Sequence, residues 1–271
     1  MSRRSPLTGI VDDRGCIMKH LIILSGLLWL LSGHVLAQPL VLESPTSQAV
    51  MIELYTSEGC SSCPPAEAYL NRLTRHQDLW TRYVPLAFHV DYWDDLGWKD
   101  AFAKPRYSQR QRHYAHIRRQ STVYTPAFII NGAIWRPGFY NKTLPTSESR
   151  PGRLKLVIDQ GQIEAQFQPL VDLPRNLRLN LALLGMGIES DIRAGENSGK
   201  HARHEFVVLS HQQYQSTDGQ WRVPVPMFEE SMTAGAPVPA FAIAAWVASA
   251  DDPAPIQSVG GALPSSWVGV K

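Results

Sequence analysis

Residues 49–67 read AVMIELYTSEGCSSCPPAE, and this stretch decides what can be said about the fold. Its first part, Ala49 to Thr56, is a mostly apolar run with the length of a buried strand. Pro64 and Pro65 suit the first turn of a helix, where the missing N–H of proline is tolerated. The stretch therefore predicts a strand that turns into a helix over residues 60–80, with Cys60 and Cys63 at the junction.

The position of the two cysteines has a chemical consequence. The positive end of a helix dipole and its unpaired N–H groups stabilise a thiolate and lower the pKa of the thiol. We therefore expect Cys60 to be the exposed attacking thiol and Cys63 the more buried resolving one. A Cys-x-x-Cys pair also occurs as a structural disulfide or as half of a metal site, and the spacing alone does not separate these alternatives.

Downstream of the cysteines, helical and strand patterns alternate. Residues 84–90 predict a second strand, 101–120 a basic helix, and 122–132 a strand closed by Asn131-Gly132, a strong hairpin signal. This order is typical of an α/β layer. A cis bond at Thr125-Pro126 would place backbone beside the two sulfurs. From residue 153 onward, six short runs with turn residues between them predict a small sandwich: 153–158, 162–167, 177–184, 204–209, 221–225 and 241–248.

Four motifs carry a resemblance to a known family. They are YTSEGCSSCPPAE (55–67), FHVDYWDDLGWKD (88–100), Arg110-Gln111 with Tyr114, and GENSG (195–199). Together they resemble the thioredoxin-like secreted proteins of the DUF1223 family. The resemblance implies an α/β fold in which a thioredoxin-like domain spans residues 48–150. An additional C-terminal β-rich, sandwich-like domain would then span residues 151–271.

The resemblance also implies a reaction and roles for individual residues. The activity would be that of a thiol:disulfide oxidoreductase in which Cys60 is the nucleophile and Cys63 resolves the mixed disulfide. Pro126 would orient the substrate strand. Glu53 would assist deprotonation of the resolving thiol, and burial in an apolar strand should raise its pKa. The alternative for Glu53 is an acid at a strand edge that faces water.

The segment from His89 to Asp100 is rich in acids and aromatic residues. Its histidine and carboxylates could bind a divalent ion, and Tyr92, Trp93 and Trp98 could border a substrate groove together with Thr125. A third interpretation, which we favour, is structural: the aromatic residues cover one end of the sheet, and the acids pair with arginines of the basic helix. We therefore assign no metal ligand and no cofactor. The acids are Asp91, Asp94, Asp95 and Asp100, and the arginines are Arg106, Arg110, Arg112, Arg118 and Arg119.

The N-terminal region predicts export. An apolar run from Leu21 to Leu31 follows Lys19, and Val35-Leu36-Ala37 fits a signal-peptidase site. We interpret residues 1–37 as a leader, with the true start at Met18 and a signal peptide over 18–37. The run is shorter than the roughly 20 residues that span a bilayer, so we expect no stable membrane span after cleavage. Removal of Cys16 would leave one cysteine pair in an oxidising compartment, periplasmic or extracellular.

Charge narrows the range of partners. The chain has 26 basic and 24 acidic side chains, and a formal net charge of +2 provides no electrostatic footprint for nucleic acid. We expect a protein or a small thiol or disulfide as substrate. The competing hypothesis is a non-catalytic binding module for a protein or a metal, in which Cys60 and Cys63 form a fixed disulfide or a ligand pair.

Overall fold

The computed structural model describes residues 38–136, 143–172 and 176–268, so the predicted leader over residues 1–37 lies outside the described residues. Strand dominates, with 43% of residues against 15% in helices. There are two α-helices, α1 (Pro64–Asn71) and α2 (Pro105–Ile117), in the described part of the chain. Short 3-10 helices cover Arg72–Arg75, Asp94–Leu96, Glu230–Thr233 and Ser265–Trp267.

Fourteen strands make up three sheets in the described residues. The first seven strands are β1 (Leu40–Glu43), β2 (Val50–Thr56), β3 (Tyr83–His89), β4 (Ala127–Ile130), β5 (Ala133–Trp135), β6 (Gly152–Asp159) and β7 (Gln162–Pro169). The other seven are β8 (Leu177–Met186), β9 (Ile188–Asp191), β10 (His201–His204), β11 (Val207–Ser216), β12 (Gln220–Pro224), β13 (Ala240–Ser249) and β14 (Pro255–Leu263).

The expected fold class, a thioredoxin-like α/β domain followed by a separate sandwich-like domain, is wrong. Strands from both halves of the chain form one eight-stranded sheet in the order β14-β13-β8-β11-β3-β2-β4-β5. A four-stranded sheet, β1-β6-β7-β12, and the hairpin of β9 and β10 complete the structure. The protein is thus mainly β, with two helices packed against a continuous mixed sheet.

The connection between the halves is a short parallel contact between β3 and β11. Val207 is in register with Ala87, and the Ala87 amide donates a 2.8 Å hydrogen bond to the Phe206 carbonyl. Strand β11 pairs with the free edge of β3. Strands β2, β3 and β4 are therefore part of the larger sheet and do not form a separate small one. Hydrophobic periodicity indicates that a strand exists but not which strand it pairs with, and this is why the prediction failed.

The core lies on both faces of the large sheet. Alternate residues of β8 contact different layers: Leu179, Leu181 and Leu183 pack with the four-stranded sheet, whereas Ala182 and Leu184 belong to the cluster that includes Tyr107 and Tyr114 of α2. Helix α1 buries its apolar residues against Val50, Ile52 and Leu54 of β2. Strand β2 is therefore buried on both faces, as its mostly apolar run predicts.

Several local predictions are confirmed. The strand at 49–56 is β2, and the Asn131-Gly132 turn joins β4 to β5 with positive φ at both residues, 45° and 82°. The helix predicted over 60–80 is shorter, because its regular part ends at Asn71. Strands β1, β9, β10 and β14 were not predicted. Within the described residues, no helix combines the length and the hydropathy that a bilayer crossing needs.

Candidate functional site

The cysteine pair lies between the end of β2 and the start of α1, as predicted from the sequence. Cys60 and Cys63 form a disulfide, and Cys63 is the N-cap residue of α1. Both cysteines are 0% exposed, whereas Ser61 and Ser62 between them are exposed. The hydroxyl of Ser62 lies 3.4 Å from Cys60 Sγ. The expectation of an exposed Cys60 is therefore wrong, because the sulfur is covered while the two serines face solvent.

Part of the cover comes from residues 195–199, here called the 195–199 loop. The side-chain amide of Asn197 donates hydrogen bonds to the backbone carbonyls of Glu58, at 2.7 Å, and Cys60, at 2.9 Å. The carboxylate of Glu196 accepts one from the Ser61 amide at 3.2 Å. Asn197 is 1% exposed, so its two hydrogen bonds are shielded from water, whereas the bond to Glu196 is exposed. The loop thus ties the disulfide to a part of the chain more than a hundred residues away.

Two of the predicted groove residues, Trp93 and Thr125, lie at the cysteine turn. A Cβ atom added to Gly59 would lie 3.2 Å from Trp93 Cβ, so the tryptophan packs directly beside the residue that precedes Cys60. The Trp93 indole donates a 2.8 Å hydrogen bond to Thr125 Oγ1, and the Thr125–Pro126 peptide bond is cis. Tyr92 points elsewhere and bonds Gln111 of α2 at 3.2 Å. Trp93 therefore adjoins the cysteine turn, and Thr125 is bonded to Trp93.

The acids of the 91–100 segment do not make the predicted ion pairs. In the part of the chain that the structure describes, none of them forms a salt bridge with an arginine of α2 or with Arg118 and Arg119 beyond it. Asp91 instead accepts a hydrogen bond from Ser108, and Asp94 accepts one from the Asp100 amide at 3.2 Å. The segment is held by hydrogen bonds within itself and to the start of α2.

Glu53 is buried in a polar cluster of its own. Its carboxylate accepts hydrogen bonds from Arg110 Nε at 2.8 Å and Arg110 Nη2 at 3.1 Å. The hydroxyls of Tyr55 and Tyr114 donate to it at 2.9 and 2.7 Å. It does not face water, and no hydrogen bond among the described residues joins it to either cysteine. The assignment of Glu53 to proton transfer stays a prediction, and its contacts are those of a structural ion pair.

A second polar network lies behind the cysteine turn and is centred on His204, the last residue of β10. His204 Nε2 is 3.1 Å from Glu58 Oε1, and His204 Nδ1 is 2.8 Å from Glu67 Oε2. Ser190 and the Trp98 indole also donate to the Glu58 carboxylate, the latter at 2.7 Å. Thr56 Oγ1 donates to Glu67 Oε1 at 2.5 Å. Every polar atom of the two glutamates and of the histidine ring therefore has a partner.

His89, the last residue of β3, adjoins this network. Its Nδ1 is 2.7 Å from Asp100 Oδ2, and Asp100 also accepts hydrogen bonds from the Glu58 and Phe102 amides, each at 2.9 Å. The rings of His89 and His204 are 5.3 Å apart between centroids. His89 Nε2 is buried and has no hydrogen-bond partner. Among the side chains of this network, it is thus the polar atom that lacks a hydrogen bond.

The charges of the network shift the pKa values of its members. Burial is the largest influence and disfavours an imidazolium, but the charges and hydrogen bonds of Glu67 and Glu58 outweigh it and raise the pKa of His204 to about 10. Burial likewise opposes the charged form of His89, yet Asp100 raises its pKa above the usual value. Burial would raise the pKa values of Glu58, Glu67 and Asp100, but the histidines hold them below their ordinary range.

Comparison with known proteins supplies the family. The profile described as "Protein of unknown function (DUF1223)" matches residues 51–243, most of the chain. The chain belongs to the DUF1223 family. The matched range includes the cysteine turn, the 91–100 segment, the 195–199 loop and His204, so all parts of the site lie within the family's common region. A comparison with curated proteins gave no match.

Two solved structures resemble the chain. A crystal structure of a protein from Agrobacterium tumefaciens is 23% identical, with a TM-score of 0.55, and the match covers 79% of this chain and 94% of that one. HBP35 of Porphyromonas gingivalis is 13% identical with a TM-score of 0.49, over 81% of this chain and 76% of that one. The first likeness supports the overall fold of this DUF1223 protein and carries no information about its activity.

The sequence did not predict the parts of the site that come from the second half of the chain. Asn197 lies in the family motif GENSG, which predicts a turn that touches the first domain but not which residues it contacts. His204 has no local signal, since it ends a short strand in a polar stretch. Glu58 and Glu67 flank the two cysteines within the family motif, but neither was singled out. Only the pairing of β10 with β9 brings His204 to the back of the cysteine turn.

Proposed function

We propose that this protein is exported and exchanges thiols and disulfides through Cys60 and Cys63. The observation that carries the proposal is that the disulfide joins residues only three apart, at the start of a helix. In the chain-entropy description, a cross-link over so short a loop adds about 2 kcal/mol to stability, far less than one closing a long loop. A disulfide that adds little to stability and lies at a helix N-terminus is well placed for redox chemistry.

The reaction proceeds through a mixed disulfide. A substrate thiolate attacks Cys60 Sγ, the Cys60–Cys63 bond breaks, and Cys63 leaves as a thiolate. A second substrate thiolate then attacks the substrate sulfur and releases Cys60, so the substrate is oxidised by two electrons and the pair is reduced. In the opposite direction, Cys60 attacks a substrate disulfide and Cys63 resolves the product. A protein or a small thiol would dock beside Trp93, which adjoins the cysteine turn, and Thr125, and Pro126 would orient it.

A Cys63→Ser variant tests the proposal, since it leaves Cys60 without its resolving partner. When it is expressed from the full chain, we expect disulfide-linked adducts that a reductant releases and that disappear in the Cys60→Ser/Cys63→Ser double variant. Non-reducing electrophoresis and mass spectrometry detect them. The complete burial of both cysteines favours the second candidate, a binding module with a fixed disulfide. Absence of adducts, together with no turnover of a model disulfide by the wild type, would establish that alternative.

The Ser62 hydroxyl should tune the redox potential. It lies 3.4 Å from Cys60 Sγ and can donate a hydrogen bond to the thiolate, which stabilises the reduced form. We expect Ser62→Ala to make the reduction potential of the cysteine pair more negative by about 20 mV. This shift corresponds to the loss of about 1 kcal/mol of stabilisation of the thiolate. A glutathione titration measures the shift. Ser61→Ala is the matched control and should leave the potential unchanged; an equal shift in both variants would contradict the role of Ser62.

Export is part of the proposal and has its own test. The supporting feature is the pattern of a signal peptide over residues 18–37, with cleavage after Ala37. We expect the full chain with a C-terminal tag to fractionate outside the cytoplasm and to begin at Gln38 when its N-terminus is sequenced. Retention in the cytoplasm with residues 18–37 still attached would refute it.

A further inference from the structure

We infer that Glu67, His89 and His204 form a binding site for a divalent first-row transition-metal ion such as Zn²⁺. One ligand atom from each of the three residues lies within 4.8 Å of the others. Two histidines and one glutamate are a ligand set that zinc enzymes and iron proteins use. The residues come from three different elements, α1, β3 and β10, so an ion would join them behind the cysteine turn.

The three ligand atoms would have to move closer together to bind an ion. Two atoms bonded to one tetrahedral Zn²⁺ at about 2.1 Å are about 3.4 Å apart, so a pair at the 4.8 Å limit would close by about 1.4 Å. Glu67 Oε2 and His204 Nδ1 are already 2.8 Å apart, which is adjacent enough for two ligands of a single ion. The side chains of His89 and His204 are about 1–2% exposed, so an ion here would be shielded from bulk water.

The unpartnered nitrogen of His89 is the observation that distinguishes a metal site from a purely ionic network. Asp100 accepts the proton of His89 Nδ1, which leaves the lone pair on Nε2 as the available ligand. That nitrogen is buried and has no hydrogen-bond partner. Buried polar atoms are normally satisfied, and an ion bound at Nε2 would satisfy this one.

Each of the three ligands also has a hydrogen-bond partner that orients its side chain. Histidines that bind metals donate their other N–H to a carboxylate or carbonyl, which fixes the ring and its tautomer. Asp100 does this for His89, and Glu58 does it for His204 through Nε2. The ion would take the place of the proton that His204 Nδ1 shares with Glu67, so that metal binding releases this proton. Thr56 holds the second oxygen of Glu67. A network of chance ion pairs would not be expected to orient all three ligands in this way.

Zinc binding by the full chain tests the inference. The protein is stripped with a chelator and titrated with Zn²⁺ against a chromophoric competitor, and bound metal is counted by elemental analysis. We expect one ion per chain, with the affinity reduced about 100-fold or more in Glu67→Gln and in His204→Ala, and about 10–100-fold in Asp100→Asn. Glu67→Gln keeps the size of the side chain and its contact with Thr56.

Two controls separate this site from other places where zinc could bind. His201 lies on the surface beside Glu189 and Asp191, and His201→Ala should change the affinity less than twofold. The Cys60→Ser/Cys63→Ser variant should also keep its zinc, even though it loses thiol–disulfide exchange, so the two proposals can fail separately. Loss of binding in either control, or full binding in Glu67→Gln and His204→Ala, would overturn the inference.

A spectroscopic arm does not depend on whether the variants fold. Co²⁺ bound to the wild type should show d–d bands without a sulfur-to-cobalt charge-transfer band, and X-ray absorption should show two imidazoles. Sulfur ligands, a single imidazole or the absence of stoichiometric binding would each refute the site.

Discussion

Replacing Arg110 with methionine is expected to lower the free energy of unfolding by about 3–5 kcal/mol. The guanidinium makes two hydrogen bonds to Glu53, at 2.8 and 3.1 Å, and one to the Tyr114 hydroxyl at 3.0 Å. The side chains of Arg110 and Glu53 are 6% and 0% exposed. Without the arginine, a carboxylate stays buried with two tyrosine hydroxyls and no counter-charge. Denaturation in urea or guanidinium chloride measures the loss.

The matched control is Glu53→Gln/Arg110→Met. This double variant removes both charges, and the glutamine can keep hydrogen bonds to Tyr55 and Tyr114. It should be more stable than Arg110→Met alone by at least about 1 kcal/mol, because the penalty in the single variant comes from the unpaired charge. If the double variant is as unstable as the sum of its two single variants, the two residues do not act as an ion pair.

The second large effect is expected at Asn197, whose replacement by alanine should make the Cys60–Cys63 disulfide easier to reduce. The side-chain amide makes two buried hydrogen bonds, to the carbonyls of Glu58 and Cys60. Losing both should destabilise the closed 195–199 loop by about 2 kcal/mol. If reduction requires the loop to open, the rate should rise roughly 30-fold, because 1.4 kcal/mol corresponds to a factor of ten. Thiol alkylation during dithiothreitol treatment follows the rate.

Ser198→Ala serves as the comparison for Asn197→Ala. Ser198 lies in the same loop and is exposed, and its hydroxyl donates a hydrogen bond to the Arg193 carbonyl at 3.2 Å. Removal of this hydroxyl should leave the rate of reduction within about twofold of the wild type. Equal rates for Asn197→Ala and the wild type would mean that the reductant reaches the sulfur without movement of the loop. The loop would then be part of a permanent wall around the disulfide.

Predictions from sequence succeeded where the decisive contacts are local. The strand of residues 50–56, the turn at Asn131-Gly132 and the cysteines at the helix start each depend on residues a few positions apart. The helix over 60–80 was overextended, since its continuation from Arg72 to Arg75 is a 3-10 helix and the chain then turns at His76. The polar strands β9 and β10 lack the periodicity that marks a strand, so the sequence placed His204 at the start of a strand over 204–209, whereas it is the last residue of β10.

The amino-acid sequence by itself determined the cysteine pair, the strand and helix on either side of it, and the motifs of the DUF1223 family. It also indicated export, through a pattern that lies before the described residues. The tertiary structure decided that both halves share one eight-stranded sheet and that Asn197 bonds the backbone of the cysteine turn. It likewise brought His204 to Glu67 and His89. The physical reason is that strand pairing and side-chain contacts between distant segments depend on which surfaces can be buried together, whereas local periodicity records only that each segment has a surface to bury.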